Sequence, residues 1–174
     1  MRKVIYLLML CTGILFASCE KDEIGGTATE PLAGEWQLTV DAVDDAGNVV
    51  LSDPFGLGVI LGITYNTVDN VADKMYVSDL GNFWDYKVVV NADCDNLTFS
   101  TNGEVQNEAE SSNCKVKIEG GKMLPGAATT PSGMPADSLV YYISFSDDEN
   151  PATYGYSKYK VSGYRRTGFA ADEP

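Results

Sequence analysis

The chain contains no histidine. That absence removes Ser-His-Asp and Cys-His catalysis, histidine-containing zinc sites and histidine-based pH switching. Cysteine is scarce, at 4 in 174 residues. Two of the four, Cys94 and Cys114, lie beyond the N-terminal segment. Without histidine they make a poor metal site, so neither a metal nor a cofactor is expected. Positive charge is short as well, with Lys+Arg 12 against Asp+Glu 25 and a formal net charge of −13. Such a surface repels phosphate backbones, so nucleic acid is not an expected partner. No stretch sustains a 3.6-residue apolar period, so the chain does not read as a helical domain. Its length fits one domain with a real core and is too short for two ordinary ones.

What is present begins with an address. Arg2 and Lys3 are followed by an apolar run over residues 4–16. It falls short of the roughly 20 residues a transmembrane helix needs and reads as a signal-peptide core. Phe16-Ala17-Ser18-Cys19 resembles a bacterial lipobox. The resemblance implies a lipoprotein signal peptide over residues 1–18, cleavage before Cys19, and a lipid on its thiol that attaches the protein to a membrane. Losing Arg2 and Lys3 lowers Lys+Arg from 12 to 10 against 25 acids, a net charge of −15. Glu20-Lys21-Asp22-Glu23 resembles the surface-export signal of Bacteroidota lipoproteins, which implies an outer-membrane protein exposed on the cell surface. Small, polar and glycine-rich residues then continue to Leu32, so residues 19–32 read as the lipidated cysteine and a flexible tether.

Residues 33–170 read as one all-β domain, with 171–174 as a tail. Short alternating or β-branched runs recur between Gly, Asn and Asp clusters, the pattern of antiparallel strands. Trp36, Leu38, Val40 and Ala42 alternate with polar neighbours, and Leu139, Tyr141, Ile143 and Phe145 fall at every second position of another run. Tyr86, Val88 and Val90 share one face of another run. Residues 56–63, Gly-Leu-Gly-Val-Ile-Leu-Gly-Ile, read as a bent strand or as an apolar loop at a barrel mouth. Residues 124–135, rich in Pro, Gly, Ala and Thr, read as irregular. About eight or nine antiparallel strands suit a small closed barrel, with a sandwich as the alternative. In an oxidising exported compartment a Cys94–Cys114 disulfide is expected, the alternative being two free thiols.

Gly34-Glu35-Trp36 in a first strand, with an arginine in the last, resembles the lipocalin or calycin pattern. The resemblance implies that Trp36 plugs the closed end, with a late arginine over its indole. Strand alternation selects Arg165 for that place and turns Arg166 outward. Gly34, Trp36 and Arg165 are therefore read as a structural latch.

A wider likeness covers most of the domain. Ala72-Asp73-Lys74-Met75-Tyr76, Asp79-Leu80-Gly81-Asn82-Phe83-Trp84 and Val161-Ser162-Gly163-Tyr164-Arg165-Arg166 are among the stretches that carry it. They are similar to a family of Bacteroidota lipoproteins described as lipocalin-like and named a lipid-binding putative hydrolase. The implied fold is an eight-stranded lipocalin-like barrel.

Three functions follow as expectations. A binding module would take a small apolar or amphipathic, lipid-like ligand, with Trp84, Tyr86, Tyr141 and Phe145 as lining candidates. A hydrolase without histidine would need paired carboxylates or a Ser-Lys arrangement, with Asp53, Asp79, Asp85 and Asp137 as the acids nearest aromatics or strand ends. No catalytic residue can be named from either pattern. An accessory surface module would bind glycan or protein through a patch of Tyr154, Tyr156 and Tyr164.

Overall fold

A computed structural model describes residues 25–109 and 113–174. The expected signal peptide, the lipid site Cys19 and the acidic stretch after it lie outside the described residues. Ten strands form a single antiparallel sheet. They are β1 (Gly34–Val43), β2 (Val49–Ser52), β3 (Ile60–Asn66), β4 (Lys74–Ser78), β5 (Lys87–Asp93), β6 (Thr98–Ser100), β7 (Val105–Gln106), β8 (Lys115–Thr129), β9 (Pro135–Phe145) and β10 (Lys158–Arg165). A five-residue helix, α1 (Asn150–Tyr154), precedes β10.

The ten segments make eight staves. β2 and β3 both pair with β1, through Asp41↔Ser52 and Leu38↔Ile60, and are one stave interrupted at residues 53–59. β6 and β7 likewise share β8. β10 returns to β1 in register from Trp36↔Arg165 to Val43↔Lys158 and closes the barrel. The result is a closed antiparallel eight-stranded barrel in which every stave neighbours the next in sequence. Closure leaves no long free edge and gives every stave an inner and an outer face.

Alternation supplies the core. Trp36, Leu38, Val40 and Ala42 of β1 are buried, as are Val88 and Val90 of β5 and Leu139, Tyr141 and Ile143 of β9. Together with Leu32, Met75, Ile118 and Tyr159 they fill the interior as one cluster. Burying each large apolar side chain contributes about 1.5–3 kcal/mol, which is why alternation dominates the choice of face.

Four sequence expectations need correction. Residues 27–32 are packed, not free tether. Glu30–Leu32 forms a short 3-10 helix beneath the barrel, Leu32 is fully buried, and its carbonyl accepts a bond from Thr64 Oγ1 at 2.6 Å. An apolar anchor hidden among small polar residues was enough to dock it. The region 124–135 is also ordered. β8 runs through Gly120 and Gly121, with register shifts between Glu119 and Lys122 and between Leu124 and Ala128, and continues to Thr129 before returning as β9. The ladder to β9 overrides the weak strand propensity of Gly and Ala.

The tail is fastened down as well. Asp172 accepts bonds from Ser132 N and Thr167 Oγ1, and Glu173 from Gln37 and Arg166. Finally, Cys94 and Cys114 are not joined. Cys94 follows the end of β5, its thiol directed at the carbonyls of Ala28 and Ala72. Cys114 lies toward the other end of β5, where its sulfur accepts from Asn107 Nδ2. The length of β5, roughly 20 Å, stands between them. A disulfide requires Cα atoms about 4.4–6.8 Å apart.

Candidate functional site at the barrel mouth

The two ends of the barrel differ. At the N-terminal end of β1 the Arg165 guanidinium lies 4.4 Å from the centre of the Trp36 ring. Its Nη1 donates to Ala33 O at 2.6 Å and its Nε to Asp137 at 3.1 Å. Trp36 is fully buried and its indole N–H donates to Thr64 Oγ1 at 2.9 Å. Gly34 is needed here because a Cβ would sit 2.3 Å from Arg165 Nη1. Arg166 points outward to Glu35 and Glu173. This end is sealed.

The opposite end is capped by rings. The segment 79–86 carries Phe83 and Trp84 over the opening, and it is held by one side chain. Asp79, 1% exposed, accepts five backbone N–H groups, from Gly81, Phe83, Trp84, Asp85 and Tyr86, at 2.7–3.1 Å. Trp84 stacks on Phe145 with ring centres 4.7 Å apart, and its indole N–H reaches Asp147. Phe83 meets Tyr159 edge-on at 5.1 Å. Phe55, delivered by the interruption between β2 and β3, packs on Phe83, Trp84 and Tyr159. The glycines of residues 56–63 thus serve both sequence readings. Gly56 and Gly58 take positive φ in the excursion, and Ile60 onward is strand.

Below the cap, Tyr86 and Tyr141 meet hydroxyl to hydroxyl across the interior. Burial pushes both phenols well above their ordinary range, so they act as neutral hydrogen-bonding groups. Tyr156 and Tyr159 repeat the motif nearer the rim at 2.6 Å, and Tyr159 donates onward to Asp148 at 2.7 Å. Burial, then the bond to Asp148, raises the Tyr159 phenol.

Of the four proposed lining residues, Tyr86, Tyr141 and Phe145 are buried in the filled interior, and only Trp84 remains partly exposed. The open space lies above them. A hollow of about 340 Å3 at the rim is lined by Leu51, Pro54, Phe55, Asn150, Tyr154 and Tyr156. Sequence reasoning missed most of this set, because β2, the excursion and α1 meet only in three dimensions. The available clue was the exposed apolar string Val49-Val50-Leu51 beside Phe55. A second, wider trough of about 540 Å3 runs over the outer face of β1, β9 and β10. Its floor is largely small residues, including Ser138, Ser162 and Gly163. The rim hollow has three aromatic lining residues, Phe55, Tyr154 and Tyr156, and the trough has one, Tyr164.

Three of the four carboxylates named for hydrolysis have other duties. Asp79 is saturated by main-chain N–H groups, as described. Asp53 accepts from Leu57 N and Gly58 N and shapes the excursion. Asp137 pairs with Arg165 and accepts from Gly126 N at the sealed end. Asp85 sits at positive φ in the 79–86 segment. Nor do Tyr154, Tyr156 and Tyr164 form one patch. Tyr156 is buried at the rim, whereas Tyr164 bonds to Asp172 O by the sealed end. Most of β10, roughly 20 Å, separates them.

A sealed floor, a packed interior and an aromatic, partly open rim define a small closed-barrel protein of the kind that offers a ligand site at its mouth. The chain belongs to the family described as "Lipid-binding putative hydrolase", whose model matches residues 21–170. No curated protein sequence matches it.

Proposed function

We propose that the protein is a membrane-anchored lipoprotein, displayed on the cell surface, whose lipocalin-like barrel binds a small lipid-like ligand at its mouth without chemical conversion. The observation that carries the binding reading is the rim itself. Leu51, Phe55 and Tyr154 stay 40%, 42% and 60% exposed around a hollow while the interior below is full. Exposed apolar groups clustered on a concave surface mark a site where something apolar docks. Commitment of Asp53, Asp79 and Asp137 to main-chain and arginine partners favours binding over carboxylate hydrolysis.

The chain enters the fold beneath the sealed end, so a lipid on Cys19 attaches the pole opposite the mouth. Seven residues, 20–26, lie between Cys19 and the packed segment, a reach of at most roughly 26 Å.

Native mass spectrometry of protein extracted from its own cells tests the binding reading. A co-purifying mass that disappears in Phe55→Asp is expected, and consistently empty parent protein defeats it. Cys19→Ser should release the protein from membranes, and protease treatment of intact cells should cleave it. Membrane retention of the Cys19→Ser variant refutes the anchor. Complete protection on intact cells, with cleavage after lysis, refutes surface display.

A further inference from the structure

The rim hollow has a chemical bias as well as a shape. Three of its lining side chains, Phe55, Tyr154 and Tyr156, are aromatic. Phe55 and Tyr156 both rest against Tyr159, with ring centres 5.7 and 5.3 Å from it. The Tyr159 O–H donates to the Asp148 carboxylate, which also accepts from Asn150, another lining residue. A carboxylate therefore stands directly behind the aromatic wall.

The loops around the hollow carry one sign. Segments 44–59, 79–86 and 146–157 contain eight Asp and Glu residues and no Lys or Arg. The cations at this end stand on strand starts: Lys158 lies over the Tyr142 ring, 3.9 Å from Glu119, Lys87 lies over the Tyr76 ring, and Lys115 pairs through its main-chain N–H with Ser146. Aromatic faces attract cations through their quadrupoles, and a one-signed collar raises the local concentration of the opposite charge. An anionic head would meet the same collar as repulsion.

We propose that the rim hollow receives the cationic head of an amphipathic ligand, an alkylammonium group boxed by Phe55, Tyr154 and Tyr156 and backed by Asp148. This rests on the mouth being the ligand site and adds which head group it selects. The apolar string Val49-Val50-Leu51 beside the box offers a path for the attached chain.

The test compares three short, water-soluble amphiphiles with one chain length: hexyltrimethylammonium, hexanoate and hexyl glucoside. Binding to the full chain in bilayer discs is measured calorimetrically and corrected with empty discs. The ammonium should bind at least about tenfold more tightly than hexanoate, and added salt should narrow the gap. Tyr154→Leu keeps apolar bulk at an exposed position and removes the ring. It should weaken the ammonium about two- to fivefold and the glucoside less.

Equal binding of hexanoate and the ammonium overturns the head-group assignment. If the glucoside still binds and is lost in Phe55→Asp, the mouth remains a ligand site. Failure of all three amphiphiles to bind overturns the mouth reading and the head-group assignment together. Equal weakening of ammonium and glucoside by Tyr154→Leu shows that the ring acts as bulk alone and also removes the assignment.

Discussion

Replacing Asp79 with asparagine should damage the mouth more than the barrel. The side chain is isosteric, so the loss is chemical. One carboxylate oxygen accepts from Phe83, Trp84 and Asp85 N–H groups at 2.7–3.0 Å, and the other from Gly81 and Tyr86 at 2.9–3.1 Å. An amide can keep its oxygen on the threefold side only by turning its NH2 toward two donors. Those two main-chain groups then lose their acceptor, one of them at the buried residue Tyr86.

Leaving a buried donor unpaired costs about 1–3 kcal/mol, and bonds to a charged acceptor contribute about 1.5–3 kcal/mol each. Relaxation of an exposed segment recovers part of this, so a net loss of about 2–4 kcal/mol is expected. Against a total stability of about 5–15 kcal/mol that is readily measured. Urea unfolding followed by far-ultraviolet circular dichroism gives the stability. Near-ultraviolet dichroism reports the Trp84–Phe145 stack separately. An asparagine variant within about 0.5 kcal/mol of the parent, with the near-ultraviolet spectrum intact, refutes the claim that the carboxylate holds the segment.

Other expectations follow from the same geometry. Trp36→Ala should cost about 3–5 kcal/mol through the cavity it leaves at the floor, and unchanged thermal stability would refute the latch. Arg165→Ala should destabilise by about 1–3 kcal/mol, since it removes a cation–π contact and a bond to Ala33 O. Arg166→Ala should cost less than Arg165→Ala, because its ion pairs with Glu35 and Glu173 cover no aromatic ring and are partly screened by solvent; the reverse order would mean that the two guanidinia contribute in the opposite sense. Bonds from Ser132 and Thr167 hold the Asp172 carboxyl down at about 2. A depressed carboxylate stabilises the fold above its unfolded value and loses that contribution as pH falls through the folded one. Tail anchoring should therefore weaken between about pH 4 and pH 2, read as falling amide protection around Ser132 and Asp172 once the intrinsic pH dependence of exchange is divided out, and protection constant across that window would exclude it. Dithiothreitol should leave the melting temperature unchanged, because Cys94 and Cys114 are not bridged; a reduction-dependent shift would show otherwise.

The barrel was legible where its signals were local. Alternation along Trp36–Ala42 and Leu139–Phe145 gave faces as well as strands. The Trp36–Arg165 contact could be read because period-two geometry fixes which of two adjacent arginines faces inward. What escaped depended on distant partners. Gly120 and Gly121 argue against a strand until β9 lies beside them. Leu32 is a lone apolar residue in a polar run until the barrel floor covers it. Asp79 looks like any turn aspartate until five N–H groups converge on it. The rim hollow joins Leu51 and Tyr154, about a hundred residues apart in the chain.

The interruption between β2 and β3 also bears on how such proteins diversify. β1 holds the register on both sides of residues 53–59, at Asp41↔Ser52 and at Leu38↔Ile60. Lengthening or shortening that excursion therefore need not slide either half of the stave, and a slip of even one residue would turn every inward side chain out. Phe55, which forms part of the mouth, rides on a segment whose length the ladder leaves unconstrained. Selection, or a designer, can graft a new rim here and retune ligand preference while the frame below stays as it is.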